Sequence, residues 1–567
     1  MLLMLWLVPT ASAETKPELW FYNQTNLAVR ANVDAAKALM DRAAAPGVGY
    51  QYMMLADTKL AYDGDKTIND IWDPEWSYYK HIREVIAYGT GKGIRIVPLI
   101  FEVGRADWLA NRVDENLLEG QQVKGANFTV APDGKSLIFK PQNPALTNTS
   151  FADGSAGWEL DEGRASIDTS TGRTDSASLK ISAGDRRGFG IQTLNILPHR
   201  QYHVCYWVRE QNFSGDLLVK IYDVSVGRHR EFHEGNPALA YDSKEGGWQQ
   251  KEYVFNSAGS TQVQLRLGSW GPTTGELWFD DICVEEIALH NVIRNSGSSV
   301  KVYNGTTTYT EGKDFNPIRE PYTKQTGKTY RIYRIPLTVS LPAGSRLKPG
   351  QAVQIDYDAV QPVYDEQYGT SLTEPAVLEY YRRTMMELRK FFPDGTPYML
   401  GGFDELRQGG SSCGAKAAGL TGGQLLANHF QACYQIVRQQ DPIASLYTWS
   451  DMFDPHHNAV DKYYLWESTL AESWKGVSAD VTIVNWNLGN LRQSLGFFAE
   501  RGNPQIIAGY YDSGDGRSAA AAEVQAAIGV PGVRGLMYTT WQGNYAELEN
   551  YAAGAIAAWS ELSPHQP

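Results

Sequence analysis

Apolar runs too continuous to lie on a surface recur along this chain, and segments of helical period separate most of them. Leu19 to Asn23, Tyr50 to Leu55 and Ile94 to Phe101 are three such runs. Between them Val33, Ala36, Leu39 and Met40, and then Tyr79, Ile82 and Ile86, fall at helical spacing. Strands apolar through their length and spaced by amphipathic helices indicate a parallel sheet covered on both faces. The alternation returns at Ser371-Leu372-Thr373-Glu374-Pro375, a helix start with proline in the first turn. Five more strands follow, at 397–403, 445–449, 481–486, 505–510 and 535–540. Three strands and five make eight. The expected fold class is therefore α/β, a closed (β/α)8 TIM barrel with its chemistry at the C-terminal strand ends.

The interruption has a different character. From Asn143 to Ile287 the helical period vanishes, and short alternating strands lie between Gly, Ser and Asp turns. Such a pattern predicts an inserted β-sandwich. The expected organisation is a signal peptide at 1–13, the first part of the barrel at 14–141, and the sandwich at 142–290. A β-rich extension of the third barrel loop at 291–360 and the second part of the barrel at 361–567 complete it.

With 567 residues, two or three domains are expected. The net charge of -13 argues against nucleic acid, whose binding needs clustered Lys and Arg. At the N-terminus a short apolar core from Leu2 to Val8 leads into Ala11-Ser12-Ala13, a small-x-small cleavage site. Export is expected, to a secreted or periplasmic location, with no membrane span elsewhere. The four cysteines form no closely spaced metal pair. Cys205 and Cys283 share one strand-rich segment, and a bond between them stays open.

The strand C-termini carry the chemistry. Strand one ends at Asn23-Gln24, strand two at Asp57 and strand three at Glu102. Strand four runs Tyr398-Met399-Leu400-Gly401-Gly402-Phe403 into Asp404-Glu405. Strands five and six give Trp449-Ser450-Asp451 and Asn485-Trp486-Asn487. Strand seven gives Tyr510-Tyr511-Asp512, and strand eight gives Trp541-Gln542, with Glu547 shortly after. Two adjacent carboxylates at one strand end resist joint ionisation, which is one way to hold an acid and a base at one centre. Aromatic residues at 12%, with 16 Trp, match the stacking needs of sugar rings. His456-His457 follows Pro455 without helical ligand spacing and reads as a solvated loop.

This ordered set resembles the glycoside hydrolase family 20 β-N-acetylhexosaminidases, which carry Gly-Gly-Asp-Glu on strand four and a Tyr-x-Asp motif on strand seven. Family 123 β-N-acetylgalactosaminidases also use an Asp-Glu pair. The resemblance spans roughly 14–110 and 361–560 and implies substrate-assisted retaining hydrolysis, without metal or other cofactor. It implies that Glu405 protonates the glycosidic oxygen, with Asp404 raising its pKa. Asp404 would orient the 2-acetamido group, and Tyr510 would donate to its carbonyl oxygen. Trp449, Trp486 and Trp541 would wall the sugar, with Asp451, Asp512, Glu547 and Asn23 around it. Phe403 departs from the family pattern, and so does Asn23-Gln24, where the family has an arginine. The choice between terminal β-linked GlcNAc and GalNAc stays open.

The inserted segment resembles a carbohydrate-binding-module jelly roll through Asn148 to Phe151, Trp158, Ser178 to Ile181, Tyr206 to Arg209, Trp248 and Trp278 to Asp281. Those residues serve a sandwich structurally as well as by binding. The partner implied is a glycan. Two other readings stand beside the first. One is a glycosidase for sugars lacking the acetamide, with Glu405 as acid and Asp451 or Glu547 as remote nucleophile. The other is a non-catalytic glycan-binding protein.

Overall fold

A computed structural model of the chain describes residues 16–57, 77–106, 109, 114–224, 230–235, 247–320, 333–363, 367–512 and 514–562. The leader expected at 1–13 lies outside them. Eight strands pair in parallel: β1 (Glu18–Gln24), β2 (Tyr52–Ala56), β3 (Arg95–Ile100), β4 (Pro397–Leu400), β5 (Ser445–Trp449), β6 (Thr482–Asn485), β7 (Gln505–Tyr510) and β8 (Val533–Thr539). β8 pairs back onto β1, so the sheet closes. Period-two alternation sends Trp20, Tyr22, Met54, Val97, Met399, Tyr447, Trp449, Ile506 and Met537 into the barrel interior. The opposite faces join the helices in the largest core.

The helices are α1 (Arg30–Ala43), α2 (Ser77–Gly91), α3 (Pro375–Leu388), α4 (Cys413–Ala417), α5 (Gly422–Gln440), α6 (Leu491–Glu500), α7 (Gly516–Ala527) and α8 (Leu548–Leu562). Thr421 opens α5 with a full capping box, its side chain and that of Gln424 exchanging backbone bonds. Two findings correct the expected α/β class and its eightfold β/α repeat. Between β5 and β6 the described residues form only single 3-10 turns, at Asp451–Phe453 and Ser473–Gly476. Among the described residues strand (33%) exceeds helix (25%), because three sheets are present. This is a strand-dominated protein whose parallel barrel has an incomplete helical ring.

The insertion is nested. Residues 121–130 and 136–139 pair with 352–359 and 339–340, and 301–304 and 307–309 complete a six-stranded sheet. That sheet has its own core, including Phe128, Leu289, Phe315 and Ile355. It corrects two expectations: 121–139 leaves the barrel, and 291–360 supplies four of the six strands of a separate sheet, not a loop extension. Inside it sits an eight-stranded antiparallel sheet from Glu159 to Ile287. Its two long strands, Gln201–Asp223 and Gln262–Ile287, shift register at Cys205/Trp207, Gln211/Ser214 and Ser214/Asp216. Bulges of this kind bend a strand, and the sheet folds over one core of Tyr202, Val204, Val219, Leu265 and Phe279. Cys205 faces Cys283 across that hairpin, and the two form a disulfide, with Cα atoms 5.0 Å apart. No described helix is long and apolar enough to cross a membrane.

Candidate active site

The turn after β4 shapes the site. Gly401 and Gly402 lie so close to β3 that a Cβ would fall 2.2 Å from Leu99 Cγ in the first case. In the second it would fall 2.1 Å from the Phe101 carbonyl. Only glycine fits both places. The single 3-10 turn Gly401–Phe403 then rotates Phe403 away from the mouth. Its ring packs 4.9 Å from Phe430 and 6.0 Å from Phe453. The next two residues, Asp404 and Glu405, line a cavity of about 860 Å³ at the C-terminal ends of the barrel strands. Glu405 takes a left-handed φ of 41° to get there.

Asp404 is enclosed by the cavity walls, and burial, with Asp451 next in weight, pushes its carboxyl up to about 7. Glu405 instead pairs with Arg407 at 3.1 Å and with half-exposed Arg105 at 3.5 Å. Gln367, with its amide oriented to accept, receives Arg407 at 3.0 Å and Arg105 at 3.1 Å. Asp451 is fully buried and does not line the cavity. It accepts the Glu405 backbone N–H (2.8 Å), Asn458 Nδ2 (2.9 Å) and Trp486 Nε1 (3.2 Å), and burial pushes it up to about 7 as well. Expected around the sugar, it instead holds the acid turn and one aromatic wall in register.

The remaining wall is aromatic. Trp449, Trp486 and Trp541 line the cavity with Tyr22 and Tyr511. Tyr22 meets Trp541 at 4.9 Å, Trp449 meets Trp541 at 6.3 Å, and Tyr511 lies 6.2 Å from Trp486 and 6.1 Å from Trp541. His457 packs edge-on to Trp486 at 4.4 Å, so it supports the wall and is not a freely solvated residue. An apolar enclosure with a few convergent polar groups suits a small ligand.

Four residues expected at the cavity lie elsewhere. Tyr510 stacks on Tyr538 at 4.4 Å, on the outer side of the barrel. Tyr510, Tyr511 and Asp512 all have positive φ (76°, 48° and 58°), so the chain turns over and Tyr511 takes the inward place. Asp512 accepts the backbone N–H of Trp541 (2.7 Å) and Gln542 (3.2 Å), tying the end of β7 to the end of β8. Glu547 accepts Gly516 N–H at 3.2 Å and Asn550 Nδ2 at 2.9 Å, joining α7 to α8. Asn23 points outward to the Tyr545 hydroxyl at 3.2 Å.

Residue reasoning missed Tyr22, Arg105, Arg407 and Tyr511. Parity along β1 carries the signal for Tyr22, since Trp20, Tyr22 and Gln24 share the inward face. Asp57 and Glu102, noted as strand ends, do line the cavity. Among the described residues no group of three or more His, Cys, Asp or Glu is placed to hold a metal ion.

No family model matches the chain, and no curated protein matches it. Among solved structures it is similar to a CBM4 carbohydrate-binding module at 16% identity and a TM-score of 0.21, over 25% of this chain and 100% of that one. A family 16 carbohydrate-binding module matches at 16% identity and a TM-score of 0.20, over 24% and 96%. A TmCBM61 structure in complex with β-1,4-galactotriose matches at 14% and 0.20, over 26% and 100%. Likeness at these scores carries no argument about what the chain does.

Proposed function

We propose that the barrel mouth is the site of an exo-acting, retaining β-N-acetylhexosaminidase releasing terminal β-linked GalNAc or GlcNAc by substrate assistance. The observation that carries this reading is the adjacent pair Asp404 and Glu405 at the mouth of an aromatic-walled cavity. In the first step the acetamide carbonyl oxygen attacks the anomeric carbon as the glycosidic bond breaks, giving an oxazolinium-like intermediate. Glu405 gives its proton to the leaving oxygen and later takes one from water, which opens the ring and restores the acetamide. Ionised Asp404 accepts the acetamide N–H and faces the charge that develops there. Tyr511, which lines the cavity and whose hydroxyl has no partner among the described residues, donates to the acetamide carbonyl oxygen. The walls hold the acetamide in attack geometry, which replaces an enzyme nucleophile. The Cys205–Cys283 bond accords with an exported protein.

One observation favours a second reading, a glycan-binding protein without turnover: Glu405 sits in ion pairs with both Arg105 and Arg407. The two-carboxylate glycosidase is weaker, because neither Asp451 nor Glu547 lines the cavity. Two variants test the main reading on aryl β-N-acetylhexosaminides. Glu405→Gln is expected to slow poor leaving groups by about 10²-fold or more and good ones far less. Asp404→Asn is expected to slow both, since assistance is lost whatever the leaving group. Near-normal rates in both variants would sink the assignment.

A further inference from the structure

We infer that Glu119, at the base of the inserted six-stranded sheet, is a positioning residue for the loop that carries Asp404 and Glu405. The insertion thereby forms part of the active-site scaffold, an inference that rests on reading that loop as catalytic. Glu119 is fully buried. Its Oε1 accepts the backbone N–H of Ser411 at 2.9 Å and of Ser412 at 3.0 Å. Neighbouring bonds run the same way. Ser411 Oγ donates to the Gly120 carbonyl at 3.0 Å, and Gln121 Nε2 donates to Gln408 Oε1 at 3.1 Å. Asp358, on the strand paired with 121–130, accepts the Cys413 N–H at 2.9 Å.

The segment between Glu405 and Ser411 is short and held along its length. Leu406 O accepts Trp466 Nε1 at 2.6 Å, Arg407 O accepts Leu465 N–H at 3.0 Å, and Asp451 holds Glu405 N–H. Asp451 thus fixes the front of the loop and Glu119 its back. Gly120 packs closely beside the strand that carries Asp358, since a Cβ there would sit 2.7 Å from Ile293 Cδ1 and 3.0 Å from Asp358 Cβ. Without an acceptor at Glu119, two buried N–H groups lose their partner, and the loop must move to find water for them. A shift of about 1 Å at a catalytic carboxylate is enough to cost up to about 10²-fold in rate.

The test compares Glu119→Ala, Glu119→Asp and Glu119→Gln in the full chain, with kcat and KM on an aryl β-N-acetylhexosaminide and hydrogen exchange over 404–413. Alanine is expected to lower kcat by about tenfold or more, to change KM by no more than about twofold, and to speed exchange over 404–413 but not over 201–223. Glutamine keeps an acceptor oxygen of the same reach and is expected to stay close to wild type in both. Should alanine fail to fold, aspartate, one methylene short of both N–H groups, carries the same expectation. Wild-type kcat and wild-type exchange in the alanine or aspartate variant overturn the inference, as does glutamine as impaired as alanine. If the wild-type chain turns over no hexosaminide, the catalytic reading fails by itself. Exchange over 404–413 then decides whether Glu119 positions the loop.

Discussion

A buried hydroxyl without a partner costs free energy, and that of Tyr511, a residue of the cavity wall, has none among the described residues. Tyr510, one residue earlier, spends its ring on Tyr538. Tyr511→Phe is therefore expected to lower kcat/KM for N-acetylated substrates by about 10²-fold, the scale of one lost donor to developing charge. Tyr510→Phe is expected to leave the rate near wild type. Equal losses in both variants would contradict the placement. Nothing in Tyr510-Tyr511-Asp512 announces which ring turns inward, because three successive positive φ values break the strand parity that a sequence reading relies on. The tryptophans were legible for the opposite reason: Trp449 ends a regular strand, and its face follows from period two.

Between β4 and its acids the chain spends three residues on a turn, and that turn decides where Phe403 goes. The paired glycines were visible in the sequence, but their reason, the approach of β3, is a contact between segments far apart in the chain. Gly402→Ala puts a methyl against the backbone of Phe101 and Val103, so it is expected to destabilise the protein by about 2 kcal/mol or more. An unchanged midpoint in chemical denaturation would contradict that close approach. The β5–β6 connection was read too regularly. Its side chains serve the site instead of a helix: Asp451 holds Glu405, while Leu465 and Trp466 hold the loop beyond it.

Acids whose carboxyls are raised by their surroundings distinguish the folded molecule from its unfolded chain. Burial pushes Asp404, Asp451 and Glu119 up to about 7 and Glu523 up to about 8. Above the ordinary carboxylate range the native state keeps protons that the unfolded chain has released, so stability falls as pH rises. The contribution is whole below about pH 4 and is lost through pH 7 to 8, by at most about 1.4 kcal/mol per pH unit per group. Denaturation at pH 5 and pH 8 is expected to show the protein more stable at pH 5. Glu523→Gln is expected to reduce the difference, and a flat or inverted profile would contradict these burials. At this scale the sandwich was legible from its local alternation. The sheet around it was not, because residues 121–130 find their partner at 352–359, beyond the whole sandwich.

In the proposed function the cavity holds a 2-acetamido sugar and the acetamide acts as the nucleophile. Its most direct test is the rate on four aryl β-glycosides side by side: N-acetylglucosaminide, N-acetylgalactosaminide, glucoside and galactoside. Turnover of at least one N-acetylated substrate is expected, with both plain glycosides slower by about 10³-fold or more. Comparable hydrolysis of a plain glycoside, or binding of an N-acetylated one without turnover, would contradict it.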